Sequence, residues 1–231
     1  MNNVDVFIIA GGKCGSSTLR KTFLNQNLFT IKSHNPKCFK NQFGYDGFFN
    51  TLFKSSQNRQ LIILDAYRTP IERKISSFFH NGEKKIPGFL NLSVDEQIKL
   101  FNTKYLYEIE NQHIINEVYN HLHIPHKKSY DFNNKYFVQQ YKNILIIKLH
   151  YNDINNWGNR LSKILKRPIE IVSDNISKDK NYYNNYKLFL EKYKVPKHYL
   201  RVELTKDVEF KKFQSSTQQK EYYNMWLKKS I

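Results

Sequence analysis

Lys13, Cys14, Gly15, Ser16, Ser17 and Thr18 stand in a row, between an apolar run over residues 4–9 and an amphipathic segment reaching Phe23. A lysine, a glycine and three hydroxyls in that order suit the binding of a phosphate. Unpaired backbone N–H groups and the positive end of a helix dipole face the anion, and the lysine adds a mobile cation. Gly11 and Gly12 precede them and are read as the residues that let the chain turn. A second group of the same character follows another apolar run, residues 61–64: Arg68, then Pro70, Arg73 and Ser76 at two, five and eight positions on. A guanidinium can grip phosphate bidentately and a helix hydroxyl can add a directed hydrogen bond. A third group, Lys32, Ser33 and His34, closes a short apolar segment, and a histidine there is placed to move a proton.

The elements that must carry these groups are strands followed by helices. Residues 4–9, 28–32, 61–64 and 143–149 are short and rich in β-branched and apolar residues, the mark of strands buried on both faces of a parallel sheet. Helices are expected from Gly15 to Phe23, from Pro70 through Phe79 and over 155–166, with a further helix at 222–227. Residues 44–53 read as a turn and a short aromatic helix, and 82–88 as a loop holding Lys and Pro. A long helical region with an internal break is expected from Ser93 to His123, opened by Asp95 and Glu96 in its first turn. Strand-helix alternation predicts a three-layer α/β/α architecture around a central, mainly parallel sheet, in a single domain over 1–231.

Composition narrows the partners. The formal net charge of +17 favours polyanions: a nucleotide, an acidic or sulfated glycan, nucleic acid or an anionic membrane face. Cys14 and Cys38 are the only cysteines of the 231 residues, which fits a reducing compartment and offers no disulfide framework. No stretch approaches the ~20 apolar residues of a membrane span and none reads as a signal peptide, so a cytoplasmic location is expected. His113, His121, His123 and His126 lack the carboxylate or cysteine companions of a familiar metal site, and no metal is assigned.

In the common ATPase loop the lysine follows the last glycine, whereas Lys13 comes two residues before Gly15. The order Lys13-Cys14-Gly15-Ser16-Ser17 resembles the 5′-phosphosulfate loop of sulfotransferases, the P-loop-like enzymes that use 3′-phosphoadenosine 5′-phosphosulfate (PAPS) as donor and release adenosine 3′,5′-bisphosphate (PAP). The Arg68-x-Pro70-x-x-Arg73-x-x-Ser76 pattern resembles the 3′-phosphate segment of the same superfamily. The ending near 210–226 resembles its capsular-polysaccharide-synthesis branch. The resemblance implies a sulfotransferase that moves a sulfonate group to a hydroxyl acceptor, a glycan or another anionic substrate. It implies that Gly12, Lys13, Cys14, Gly15, Ser16, Ser17 and Thr18 hold the 5′ side and Arg68, Arg73 and Ser76 the 3′-phosphate. Lys178 and Lys180, in a polar loop over 171–183, are expected near the phosphates. Lys13 and His34 become the catalytic pair, His34 matching the histidine of a Lys-Thr-His-Leu-Pro segment, with Asp46 or Asp65 as reserve base. Asp153 matches the acidic residue of a later strand-end segment. Leu19 stands where many members carry an adenine-stacking aromatic residue, leaving Tyr67 or the loop after Pro168 for adenine. The alternatives are a P-loop-like nucleotide kinase, with Asp65 as magnesium ligand, and a basic nucleic-acid-binding module, although the basic residues are spread along the chain and form no recognised binding motif.

Overall fold

The computed structural model describes residues 4–34, 45–57, 59–108, 114–125, 130–174 and 179–231. In chain order the elements are β1 (Val6–Ile9), α1 (Ser16–Leu24), β2 (Thr30–Ser33), α2 (Tyr45–Gln57), β3 (Leu61–Tyr67) and α3 (Pro70–Lys85). There follow α4 (Val94–Leu100), α5 (Ile114–His121), β4 (Tyr136–Tyr141), β5 (Ile144–His150), α6 (Trp157–Leu165), α7 (Tyr183–Lys192), α8 (Val208–Phe213) and α9 (Ser216–Leu227). The chain divides into two compact units, Met1–Arg68 with Asn111–Asn175, and Thr69–Glu110 with Ile176–Ile231.

The first unit holds a five-stranded sheet in the order β2-β1-β3-β5-β4. Every pairing is parallel except that of β4 with β5. Alternation along the strands sends Val6, Ile8, Ile62, Leu64, Leu145 and Ile147 to one face, where they pack with Leu19 and Phe23 of α1 and Trp157 and Leu161 of α6. The other face is covered by α2, which lies against β3 and accepts the Val4 N–H on Ser55 Oγ, and by α5, whose Tyr119 hydroxyl donates to Gln139 of β4. The result is a three-layer α/β/α arrangement with a mixed, mostly parallel central sheet. From β1 the chain continues to β2 on one side, while β3 lies on the other. The β1/β3 junction is therefore the topological switch point, where the loops leaving neighbouring strands part and open a crevice.

In the second unit the core is largely aromatic. Phe78 and Phe79 of α3 contact Phe89 and Phe189, and Tyr193 packs on Phe101, Phe189 and Trp226. Edge-to-face pairs of this kind contribute ~0.5–1.5 kcal/mol each beyond their area. Ser93 opens α4, as expected, and does so through a capping box, exchanging hydrogen bonds with Glu96. Among the described residues no helix is long and apolar enough to cross a membrane.

Several boundaries differ from the sequence reading, each for a local reason. Helix α3 does not give way to a loop at Gly82 but runs to Lys85. Gly82 lies against the Phe89 ring, which a Cβ would meet at 2.4 Å, so the glycine there serves packing within the helix rather than termination. Strand β2 is Thr30–Ser33 rather than 28–32, because Asn27 turns with φ 56° and residues 28 and 29 remain outside the ladder. A 3-10 turn, Tyr151–Asn156, delays α6 to Trp157. The long helical region is interrupted by a π-helical turn, Phe101–Tyr105, before α5. Strand β4 has no counterpart in the sequence reading.

Candidate functional site

Three loops of the first unit leave the carboxyl ends of β1, β2 and β3. After β1 the left-handed backbone falls on Lys13, with φ 64°, and Gly15, with φ 86°, not on Gly11 or Gly12, where the sequence reading put the turn. Gly15 is the N-cap of α1 and offers no side chain to that helix end, and the first turn carries no acidic residue. The positive end of α1 is thus left to be satisfied by something other than its own cap. Gly15 is also packed tightly: a Cβ there would stand 2.7 Å from Trp157 Cη2 and 3.4 Å from Tyr151 Cδ2. Trp157 is itself fixed by an Nε1–H donation to the His150 carbonyl at 3.0 Å.

Arg68, directly after β3, reaches back to this loop. Its Nη1 donates to the Lys13 carbonyl at 3.0 Å, and its guanidinium lies 4.4 Å from the centre of the Tyr151 ring. Its buried Nε has no hydrogen-bond partner among the described residues. Stacking on Tyr151 orients the planar group while leaving donors to spare, the usual preparation of an arginine for an oxyanion.

From β2, Lys32 extends its Nζ to Ser17 Oγ at 3.0 Å. Burial holds its pKa below the ordinary lysine value; the nearby positive charge of Arg20 lowers it further, and Asp174 works the other way. A partly desolvated ammonium beside an uncapped helix end gains from a bound anion. His34 is exposed, and its Nδ1 lies 2.9 Å from the Ala10 carbonyl. A carbonyl can only accept, so that contact places the proton on Nδ1 and leaves the Nε2 lone pair as the basic site.

Other expected residues take different places. Thr18 is buried and its hydroxyl donates to the Asp174 carbonyl at 3.3 Å, while Thr22 Oγ1 accepts the Val172 N–H at 3.0 Å. Residues 172–174 are thereby laid along α1, and the donor of Thr18 is committed to holding them. Ser16 and Cys14 are also buried, and Gly12 has open space around it. Arg73 and Ser76 sit three apart on α3 in the second unit, hence on one face of that helix, and both are buried. Lys180 is half-buried; Lys178 lies outside the described residues, as do the Asp46 side chain, His113 and His126.

Asp65 is corrected as reserve base and as magnesium ligand. It is 4% exposed and pairs with Lys148 at 2.7 Å, its neighbour across the β3/β5 ladder. A carboxylate held so is not offered to a ligand. Asp153 is likewise structural, accepting from Arg160 Nε at 3.1 Å and Asn156 Nδ2 at 2.8 Å. Tyr67 packs edge-on against His150, with ring centroids 5.0 Å apart. Burial, helped by the positive charge of Lys135 and opposed by Asp153, holds His150 down to about 4, so it is neutral near pH 7.

Tyr151 and Trp157 were not singled out by the sequence as site residues, and Lys32 stood out only as the residue beginning the segment that carries His34. Lys32 acquires its role through Ser17, fifteen positions earlier, and the two aromatic residues through Gly15, far back in the chain. Lys32 with Ser17, Arg68 with the Lys13 carbonyl, and His34 with the Ala10 carbonyl thus meet around the loop that follows β1. Among the described residues no group of three His, Cys, Asp or Glu is placed to hold a metal ion. No protein-family model matches this chain, and no curated protein and no solved structure matches it either.

Proposed function

We propose that the protein is a sulfotransferase that takes a sulfonate group from PAPS and passes it to a hydroxyl of a glycan acceptor. The observation that carries this reading is the uncapped N-terminus of α1 at the switch point, flanked by Lys13, by Lys32 on Ser17 and by Arg68 poised over Tyr151. Two placed cations, Lys32 and Arg68, beside the loop that carries Lys13 suit a ligand with more than one anionic group.

The donor supplies a sulfonate already activated by its phosphate. The backbone N–H groups of Ser16 and Ser17 hold the 5′-phosphate, and Lys13 and Lys32 offset the charge that grows on its bridging oxygen. His34 Nε2 accepts the proton of the attacking hydroxyl as the new S–O bond forms and the bridging S–O bond breaks. Arg68 binds the 3′-phosphate and distinguishes PAPS from ordinary nucleotides. The overall positive charge favours an anionic polysaccharide as the chain that brings the hydroxyl. The kinase alternative loses its carboxylate to the Asp65–Lys148 pair.

Sulfur-labelled PAPS and a panel of neutral and acidic polysaccharides test this reading. Label is expected to enter polymer without added metal, and His34→Ala is expected to slow the transfer by roughly 10²–10⁴-fold. Magnesium-dependent loss of the γ-phosphate of ATP, with no labelled polymer, would replace the assignment. Undiminished transfer by His34→Ala would keep the reaction and remove the histidine from it.

A further inference from the structure

The second unit contains a cleft of about 270 Å³, enclosed by the helical turn Leu204–Lys206 and by helices α8 and α9. Leu204 and Phe210 are its buried lining, 1% and 4% exposed. Its walls are fixed by their own caps. Asp207 accepts the Phe210 N–H at 2.8 Å at the start of α8, and Ser215 opens α9 with a capping box to Gln218. Along α9, Tyr222 and Trp226 stand one turn apart in the aromatic core, which leaves Gln219 and Tyr223, also one turn apart, on the side that lines the cleft.

The polar groups of the lining are unevenly committed. Thr205 Oγ1 donates to the Val202 carbonyl at 2.8 Å, and Gln219 Nε2 donates to the Gln214 carbonyl at 2.8 Å and the Lys211 carbonyl at 3.3 Å. Lys211 and Lys220, one from each helix, are exposed and enter no ion pair among the described residues. A polyhydroxyl ligand would find few donors to spare. An apolar body would find Leu204, Phe210, the Tyr223 ring and the lysine stems, and a negative head would find two ammonium groups.

We propose that this cleft binds a small amphiphilic anion free in solution, a medium-chain carboxylate, with its chain against Leu204, Phe210 and Tyr223 and its head within reach of Lys211 and Lys220. Charge complementarity selects the occupant: the interior is apolar, and the cations at its rim have no carboxylate of this chain to pair with among the described residues. The inference does not rest on the sulfotransferase reading and stands or falls apart from it.

Calorimetric titration of the whole protein with octanoate, heptanoate, octanol and octylammonium tests it. One octanoate is expected per chain, with affinity falling about fourfold for the methylene lost in heptanoate. Octanol should bind about three- to tenfold more weakly than octanoate, and octylammonium more weakly still. Lys211→Gln/Lys220→Gln should bring octanoate down to the affinity of octanol, while Lys228→Gln/Lys229→Gln, which removes the same charge elsewhere on the surface, should leave it unchanged. Thr205→Trp, an exposed position on the rim, should block both ligands. The inference is overturned if octanol binds as tightly as octanoate, if the two lysine pairs matter equally, or if octanoate does not saturate at one per chain. Binding of anionic phospholipid vesicles without binding of octanoate would also overturn it, since the lysines would then belong to a membrane-facing surface.

Discussion

Gly15→Ala is expected to be among the most damaging single-methyl substitutions in this protein, lowering stability by about 2–5 kcal/mol. Two costs add. An L-residue at φ 86° is strained by ~1–2 kcal/mol, and the new methyl group must displace the ring of Trp157, 2.7 Å from where it would stand. That ring is buried and hydrogen-bonded to the His150 carbonyl, so it cannot swing aside without exposing its own donor. Gly12→Ala is the internal control. Gly12 has no positive φ and nothing within 4 Å of a built Cβ, so the change should be neutral or stabilising by a few tenths of a kcal/mol. Urea denaturation of the two variants decides the matter; equal midpoints would show that the loop does not depend on the conformation at Gly15.

Lys148→Met is expected to cost a comparable amount, about 3–5 kcal/mol, because it strands the Asp65 carboxylate between the sheet and its covering helices. The side chains of Lys148 and Asp65 are 4% and 5% exposed, and Asp65 Oδ1 also accepts the Ala66 N–H at 2.7 Å. Removing both charges together is a different matter, since the desolvation cost of the pair disappears along with its attraction. The Asp65→Leu/Lys148→Met double variant should therefore lie within about 1–2 kcal/mol of wild type. A double-mutant cycle from chemical denaturation measures the coupling. Single variants that each cost less than about 1 kcal/mol would mean that water reaches the pair.

How much of this could be read from the sequence depended on how each element is buried. β1, β3 and β5 are covered on both faces, so their sequences are continuous apolar runs too short to form a helix of ordinary length. β4 lies at the edge of the sheet, and its sequence, YFVQQY, mixes Gln with aromatic residues. Gln139 is buried there only because the Tyr119 hydroxyl and the Pro125 carbonyl satisfy its amide, partners invisible from the local sequence. The hairpin joining β4 to β5 turns through Lys142 and Asn143, with φ 49° at Lys142, where a glycine or asparagine would have marked a turn. The two compact units meet in sequence at Arg68–Thr69, within a strand-to-helix transition that carries no linker composition.

The site was legible where chemistry and chain order coincide. Lys13 to Ser17 and Arg68 stand at strand ends, and the parallel order of β1 and β3 brings them together. It was less legible where a residue's role comes from a partner elsewhere in the sheet. Lys32 stood in the segment of His34 with no partner assigned until its Nζ met Ser17, and Asp65 looked available until Lys148 faced it across the ladder. Thr18 carries the hydroxyl that a phosphate loop calls for but spends it on the backbone of Asp174.

The most direct measurement is a calorimetric titration of the intact protein with PAP and, separately, with AMP, without added metal. A PAPS-type site should bind PAP at least tenfold more tightly than AMP, through the 3′-phosphate that AMP lacks, and Arg68→Ala should erase most of that preference. Equal affinity for the two nucleotides, or a preference for ATP that appears only with magnesium, would contradict the sulfotransferase assignment.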